Sequence, residues 1–372
     1  MCRDIVILSG NYPPESGGPS KFAQNFSKWA SSEFKKVYVI STDPNETKRM
    51  ADGNVEVNLV SRKYNLLIRC LMSALLIRKF AKNASIVLAN GLFYEVLLAS
   101  ILFRVKYCVK IPGDIVWERA RTNFDTNLDM YQFQQSRLSK KYRLMRYLFS
   151  LSLKRSEMVI VPSNVMYQIC LGWKIDPLKI KVIFNSVDAQ KFYPIKNQIK
   201  KFDVVTVSRL IDIKQIEGVI KAASKLNLKV LIVGSGPEEQ ALRNLNQNLG
   251  NPATFFGNAE QGELPDIYRS ARFFVLNSEF EAGTPYSLLE ARASGLVCIA
   301  NERTGAADVI THYQDGFLCG PINKSDLLLN LRRATELGDK YSTFSELARK
   351  RTLANFSESS IYSAIISNCE RR

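Results

Sequence analysis

Two cations five residues apart, Arg209 and Lys214, lie in the segment Val207-Ser208-Arg209-Leu210-Ile211-Asp212-Ile213-Lys214. They follow the apolar run Phe202–Ser208, which reads as a strand, so both fall on a loop at a carboxyl edge. A guanidinium that bonds in a fork and a lysine that acts as a point charge suit a diphosphate. Further on, Leu276–Gly295 reads LNSEFEAGTPYSLLEARASG. Gly283, Thr284 and Pro285 are expected there as loop, N-cap and first helical residue of a helix over 285–294. The N–H groups and dipole of such a helix start attract an anion. Glu281 precedes the helix and Glu290 lies inside it. One carboxylate could hold sugar hydroxyls and the other a ribose diol. For Glu290 alone, an exposed helix surface is the plain alternative.

Glycine turns mark two more places. Gly10–Ser20 (GNYPPESGGPS) joins the first strand to the first helix, and Gly17 and Gly18 would let backbone approach a ligand. Gly234-Ser235-Gly236-Pro237 is a second strand-to-helix turn, suited to a base or ribose pressed against backbone, or simply to a tight turn. Ala89-Asn90-Gly91 and Ile111-Pro112-Gly113-Asp114 close two further strands of the first half. Asp114 could orient an acceptor, act as a base, or cap the next helix.

The elements that must position these residues come in two series. Strand-like and helix-like runs alternate from Ile5 to Ile183 and start again at Phe202, which implies two parallel sheets with crossover helices. We expect two Rossmann-like α/β domains facing across a cleft: 1–190, then 200–356, with 357–372 as a C-terminal helix returning to the first. Ligands of such sheets bind beyond the carboxyl ends of the strands.

Composition narrows the classes. The 372 residues include seven Cys without a CxxC pair and one His, His312, which speaks against a disulfide framework, a structural zinc site or a His-rich metal centre. The net charge is +16, and residues 1–200 carry all of it: 31 Lys+Arg against 15 Asp+Glu, compared with 20 against 20 in 201–372. This asymmetry suggests a polyanionic partner or a solvated basic surface. A basic nucleic-acid binder is an alternative of another class, but no RNP motif, zinc-finger spacing or aromatic-basic interleaving supports it. The opening MCRDIVILSG does not read as a signal peptide, and no apolar run reaches the ~20 residues of a spanning helix. The chain is expected to be cytoplasmic. Arg62–Lys82, basic and apolar at helical spacing, is either a membrane-surface helix or a half-buried domain helix.

Several ordered segments carry a resemblance. VSRLIDIK, LIVGSGPEEQAL, FFGN with ELPDIYRSARFFVLNSEFEAGTPYSLLEARASG, VIFNSVDAQKFYP and NYPPESGGPSKF together resemble the family 4 glycosyltransferases of GT-B fold, over nearly the whole chain. PGDIVWERARTN resembles a bacterial, polysaccharide-type subgroup. The resemblance implies retaining transfer from a nucleoside-diphosphate sugar (UDP- or GDP-sugar) to a saccharide or lipid-linked saccharide. It implies no metal and no cofactor beyond that co-substrate. Arg209 and Lys214 would clamp the diphosphate, Glu281 bind the donor sugar and Glu290 the ribose. The Gly17-Gly18 loop would approach the phosphate or acceptor. The basic first half would rest on the anionic inner face of the membrane. A GT-B nucleotide-sugar epimerase is the enzymatic alternative. The sequence departs from the family twice. Glu281 and Glu290 are nine apart where eight is usual, so either Glu281 bulges back into place or Glu279 or Glu281 acts from a shifted site. The two loops that often hold a histidine, at Asn90 and Asp114, hold none.

Overall fold

The computed structural model describes residues 3–15, 17–320 and 324–370. Ser16, within the first glycine loop, and Cys2 lie outside them. The chain forms two compact units: residues up to Ile183 together with those from Tyr362 onward, and Phe184–Ile361.

The first unit runs β1 (Asp4–Ser9), α1 (Gly18–Glu33), β2 (Lys36–Asp43), β3 (Lys48–Asp52), β4 (Val55–Ser61), α2 (Leu66–Ala81), β5 (Ala84–Asn90), α3 (Phe93–Phe103), β6 (Cys108–Lys110), α4 (Ile115–Thr122), α5 (Met130–Gln135), α6 (Lys140–Arg155), β7 (Met158–Val161), α7 (Asn164–Gly172) and β8 (Ile180–Val182). Its sheet has the order β3-β4-β2-β1-β5-β6-β7-β8. Every pairing is parallel except the β3–β4 edge hairpin. The strand order reverses beside β1, which pairs with β2 on one side and β5 on the other. The loops after β1 and β5 therefore lie at the switch point, beyond the carboxyl ends of the strands, where sheets of this kind bind ligands.

The second unit runs β9 (Phe202–Val207), α8 (Ile216–Leu226), β10 (Val230–Val233), α9 (Glu239–Asn248), β11 (Ala253–Gly257), α10 (Leu264–Arg269), β12 (Ala271–Leu276), α11 (Tyr286–Ala293), β13 (Val297–Asn301), β14 (Gly316–Cys319), α12 (Lys324–Thr335) and α13 (Lys340–Phe356). A last helix, α14 (Glu358–Glu370), starts in this unit, and its residues from Tyr362 belong to the first. The sheet order is β11-β10-β9-β12-β13-β14, all parallel. Both faces are covered: Val205, Phe274 and Leu289 lie in one core and Val204, Phe273 and Ile220 in the other. That is why these strands read as continuous apolar runs.

The units divide at Ile183/Phe184 rather than between 190 and 200. The Phe184 ring meets Phe356 edge-on at 5.3 Å, and Arg349 donates to the Phe192 carbonyl at 3.0 Å. Residues 184–193 thus pack as part of the second unit. Behind α11 lies an ion cluster centred on the buried Asp315. Arg292, fully buried, donates to Asp315 at 3.0 Å and to the Thr352 hydroxyl at 3.0 Å, and Arg351 reaches the same Asp315 at 2.9 Å. Among the described residues no helix is long and apolar enough to cross a membrane.

Candidate functional site

In the second sheet the strand order reverses between β9 and β12, so the loops that follow them lie at the switch point where sheets of this kind bind ligands. These are the loops that carry Arg209, Lys214 and Glu281. The 208–215 loop is held on both sides. Ser208 and Leu210 N–H groups donate to the carbonyls of Val233 (3.0 Å) and Ser235 (2.9 Å), and Glu238 N–H donates to Leu210 at 3.1 Å. On the other side Glu279 N–H bonds the Ile213 carbonyl at 2.9 Å, and the Asn277 amide bonds the Gln215 carbonyl at 2.9 Å.

This arrangement corrects the reading of Gly234 and Gly236. A Cβ on Gly234, where φ is +128°, would lie 1.9 Å from the Ser208 carbonyl oxygen, and one on Gly236 would lie 2.2 Å from that of Leu210. The close approach these glycines permit is to the neighbouring loop of the chain itself. They let the loop that carries Arg209 close against the 234–237 turn.

Lys214 ends a short 3-10 turn over Asp212–Lys214, and its ammonium forms an ion pair with the Glu281 carboxylate. Ser278 donates to the same carboxylate oxygen at 2.8 Å. The lysine and glutamate side chains are 18% and 20% exposed. Glu279, by contrast, is exposed, so of the two glutamates left open by the spacing it is Glu281 that meets the lysine. Arg209 is exposed and, among the described residues, has no carboxylate partner.

The loop from Glu281 into α11 is also fixed by a glycine contact: a Cβ on Gly305 would lie 2.3 Å from the Gly283 carbonyl oxygen. Thr284 is buried, and its carbonyl accepts from the Asn185 amide at 2.8 Å. The helix starts one residue later than expected. Pro285 stands at the N-cap with ψ 130°, outside the helical basin, and Tyr286 is the first helical residue. The first bond of the helix runs from Leu289 N–H to the Pro285 carbonyl at 3.2 Å, so the N–H groups of the preceding turn point outward along the axis. Glu290 is no exposed surface residue. It is 3% exposed, and the Tyr268 hydroxyl donates to its Oε2 at 3.0 Å. Burial and the neighbouring carboxylate push the Tyr268 phenol well above its ordinary pKa, so it stays a donor.

In the first unit the glycine loop lies at the β1/β5 switch point. Gly17, with φ +136°, is the N-cap of α1, and Gly18 is its first residue. A Cβ on Gly91 would fall 2.1 Å from the Gly10 nitrogen, so these two loops touch. Asn90, 2% exposed, donates to the Pro19 carbonyl at 3.4 Å, tying β5 to the start of α1.

Asp114 requires a correction. Its Oδ1 accepts from the N–H groups of Val116 (2.9 Å) and Trp117 (3.2 Å), which makes it the cap of α4. Its Oδ2 accepts from Arg146 (2.7 Å) and Gln134 (3.0 Å), and the side chain has no exposed surface. Both oxygens are engaged by donors of the chain itself and neither reaches solvent, so Asp114 holds α4, Arg146 and Gln134 together rather than facing an acceptor.

One charged residue escaped the sequence reading. Lys110 closes β6, is 2% exposed, and holds its ammonium 4.6 Å from the Phe22 ring centroid. Burial pushes its pKa down to about 7. The available signal was a lysine inside the apolar run Tyr107–Ile111.

Residues 189–351 match the family model for glycosyl transferases group 1. That stretch holds Arg209, Lys214, Glu281 and Glu290. The chain is 28% identical over 229 residues to the Escherichia coli UDP-Gal:alpha-D-GlcNAc-diphosphoundecaprenol alpha-1,3-galactosyltransferase, covering 55% of this chain and 58% of that protein. It is 26% identical over 200 residues to the N-acetyl-alpha-D-glucosaminyl L-malate synthase of Bacillus anthracis, covering 50% and 51%. The matches thus span about half the length of these relatives. Among solved structures, sucrose-phosphate synthase from Thermosynechococcus elongatus superposes with a TM-score of 0.81 at 18% identity over 98% of both chains. Anabaena HepE in complex with UDP and glucose gives 0.77 at 18% identity over 99% of both. The fold is GT-B, with two α/β units built on parallel sheets. The group 1 match and the named relatives support a glycosyltransferase.

Proposed function

We propose that this protein is a family 4, retaining glycosyltransferase. It moves a sugar from a UDP- or GDP-sugar to a saccharide or lipid-linked saccharide acceptor in cell-surface polysaccharide synthesis. The observation that carries the reading is the meeting of Lys214 and Glu281 on the loops that follow β9 and β12, where the strand order reverses. Arg209 is exposed on the same loop, and α11 begins five residues past Glu281. The names of the relatives support the chemistry: the Escherichia coli protein takes UDP-Gal as donor, and HepE binds UDP and glucose.

In this reading Arg209 grips the diphosphate by forked bonds, Lys214 sits against it as a point charge, and the outward N–H groups of α11 complete the neutralisation without a metal. Glu281 holds the donor sugar hydroxyls and orients Lys214, and Glu290 holds the ribose. The bond from the anomeric carbon to the phosphate oxygen breaks while the acceptor oxygen bonds that carbon on the same face. The acceptor proton passes to the leaving phosphate, so no histidine is needed. Charge grows on that phosphate as the bond breaks, which is where fixed cations lower the barrier. The basic first unit associates with the anionic cytoplasmic face of the membrane.

The test is a panel of nucleotide sugars with the purified protein, read by melting temperature and by released nucleoside diphosphate. The matching nucleotide stabilises the protein by about 2.7 kcal/mol at a hundredfold excess over its Kd. NMR of the product shows an anomeric configuration equal to that of the donor. Inversion rejects the retaining assignment. An isomerised or hydrolysed sugar formed without acceptor favours an epimerase instead. No response to any nucleotide sinks the reading.

A further inference from the structure

Helix α2 is half-buried, as one of its two sequence readings expected, but its outer half is not that of a soluble domain. Ser73, Ala74, Ile77 and Phe80 face the core. A helix packed this way ordinarily turns polar residues to solvent. Here Leu66, Leu67, Ile68, Leu71 and Leu75 are exposed, Leu67 at 81%. Ile68, Leu71 and Leu75 follow one another at three- and four-residue intervals, so they form a stripe on one face. The stripe continues into Arg78, Lys79 and Lys82, all exposed, and is preceded by exposed Arg62 and Lys63. α2 contains no acidic residue. Glu95 is buried beneath it and pairs with Arg69 at 3.8 Å, and at the N-terminal end Glu15 pairs with Arg62, leaving Lys63 as the cation there. α3 packs on α2, and Arg78 lies over the Phe103 ring at its end (4.6 Å), where Ile101 and Leu102 are also exposed.

A contiguous aliphatic face of this size needs a cover. Its chemistry selects the cover: leucines at the centre, cations at both ends and no anion between them. A second copy of the chain would bring like charges together. An acidic bilayer supplies hydrocarbon for the leucines and phosphate headgroups for the cations. We infer that the outer face of α2 is a lipid-docking surface, lying in the plane of an anionic bilayer with its leucines below the headgroups. A helix of this length covers about 24 Å of that surface. The inference deepens the membrane part of the proposed function and rests on it, replacing attraction by charge alone with insertion at a named face.

The full chain is sedimented with phosphatidylcholine vesicles, with and without phosphatidylglycerol. Variants Leu67→Glu, Leu71→Glu and Leu75→Glu are run beside the wild type, with Leu71→Gln to separate lost apolarity from added charge. The wild type pellets with the acidic vesicles. Each glutamate weakens partitioning about tenfold or more, as expected for losing one buried leucine. At about 1 M salt, where the screening length falls to ~3 Å, part of the wild-type binding survives and that of Leu71→Glu does not. These side chains are exposed, so melting temperatures stay at the wild-type value. Wild-type protein that ignores acidic vesicles overturns the inference. So do glutamate variants that bind like wild type, or a wild-type dimer that Leu71→Glu renders monomeric. The nucleotide-induced melting shift is measured on the same variants. It stays unchanged whatever the vesicles show, which separates this surface from the donor site.

Discussion

Deleting one partner of the Lys214–Glu281 pair has unequal consequences. In the free protein both side chains are about four-fifths buried, and among the described residues the carboxylate keeps the Ser278 hydroxyl alone once the lysine is gone. Breaking a fully buried pair costs about 3–5 kcal/mol. With a fifth of each side chain still reached by solvent, the cost of Lys214→Ala to stability falls to about 1–2 kcal/mol. Catalysis suffers more. Losing a cation that faces developing phosphate charge costs about 2.7–4 kcal/mol of transition-state binding, or roughly 100–1,000-fold in turnover. Glu281→Ala removes the lysine's competitor for the phosphate instead. Affinity for the nucleoside diphosphate is therefore held or increased, while transfer falls because the sugar loses its hydroxyl partner. Urea unfolding, nucleotide titration and rates of diphosphate release on both variants and the double variant read these terms separately, and the double-mutant cycle gives the coupling. Turnover of Lys214→Ala within a few-fold of wild type would refute the reasoning. So would an equal loss of nucleotide affinity in both single variants, because the lysine would then have no phosphate to turn to.

Two further outcomes follow from the first unit. Asp114→Asn leaves the buried Arg146 guanidinium without its anion and is expected to destabilise by about 3–5 kcal/mol in urea. The folded fraction keeps its kcat and its pH–rate profile, whereas a shifted acid limb would restore Asp114 as a base. Lys110 has a folded pKa of about 7, below its unfolded value, so the unfolded chain binds more protons between the two. Stability therefore rises with pH above about 7, by up to about 1.4 kcal/mol per unit, and levels off as pH passes the unfolded lysine value near 10.4. Lys110→Met removes this slope, and its gain over wild type is largest at and below neutral pH. Equal slopes for the two proteins in urea titrations would contradict the assignment.

The sequence conveyed some of this well. Alternating apolar runs give two parallel sheets because buried strands are apolar on both faces, as Phe273 and Phe274 show by facing opposite cores. Arg209, Lys214 and Glu281 could be placed from the sequence because each lies in the loop that follows such a run. What the loops touch was not. Gly234 and Gly236 read as a place for a ligand, yet their missing side chains make room for the Ser208 and Leu210 carbonyls, a neighbour that depends on which strands lie side by side. Glu290 and Asp114 are both carboxylates near helix starts. Only their partners, Tyr268 for one and Arg146 with Gln134 for the other, reveal that both are buried. Those partners come from 22 and from 32 and 20 residues away. Val55–Ser61 alternates with polar residues along an outer strand, and its short hairpin partner Lys48–Asp52 has little apolar signal at all.

The Arg292–Asp315–Arg351 cluster limits how the donor region can adapt. Glu290 and Arg292 share α11, and the arginine is clamped from behind by a fully buried carboxylate. For that helix to slide or turn, opposite charges would have to separate inside the protein. The helix therefore acts as a fixed rail, and whatever accommodates one sugar rather than another has to come from the segment ahead of it, 277–284. Exchanges there would retune which donor is taken while the rail, and the carboxylate mounted on it, stay where they are.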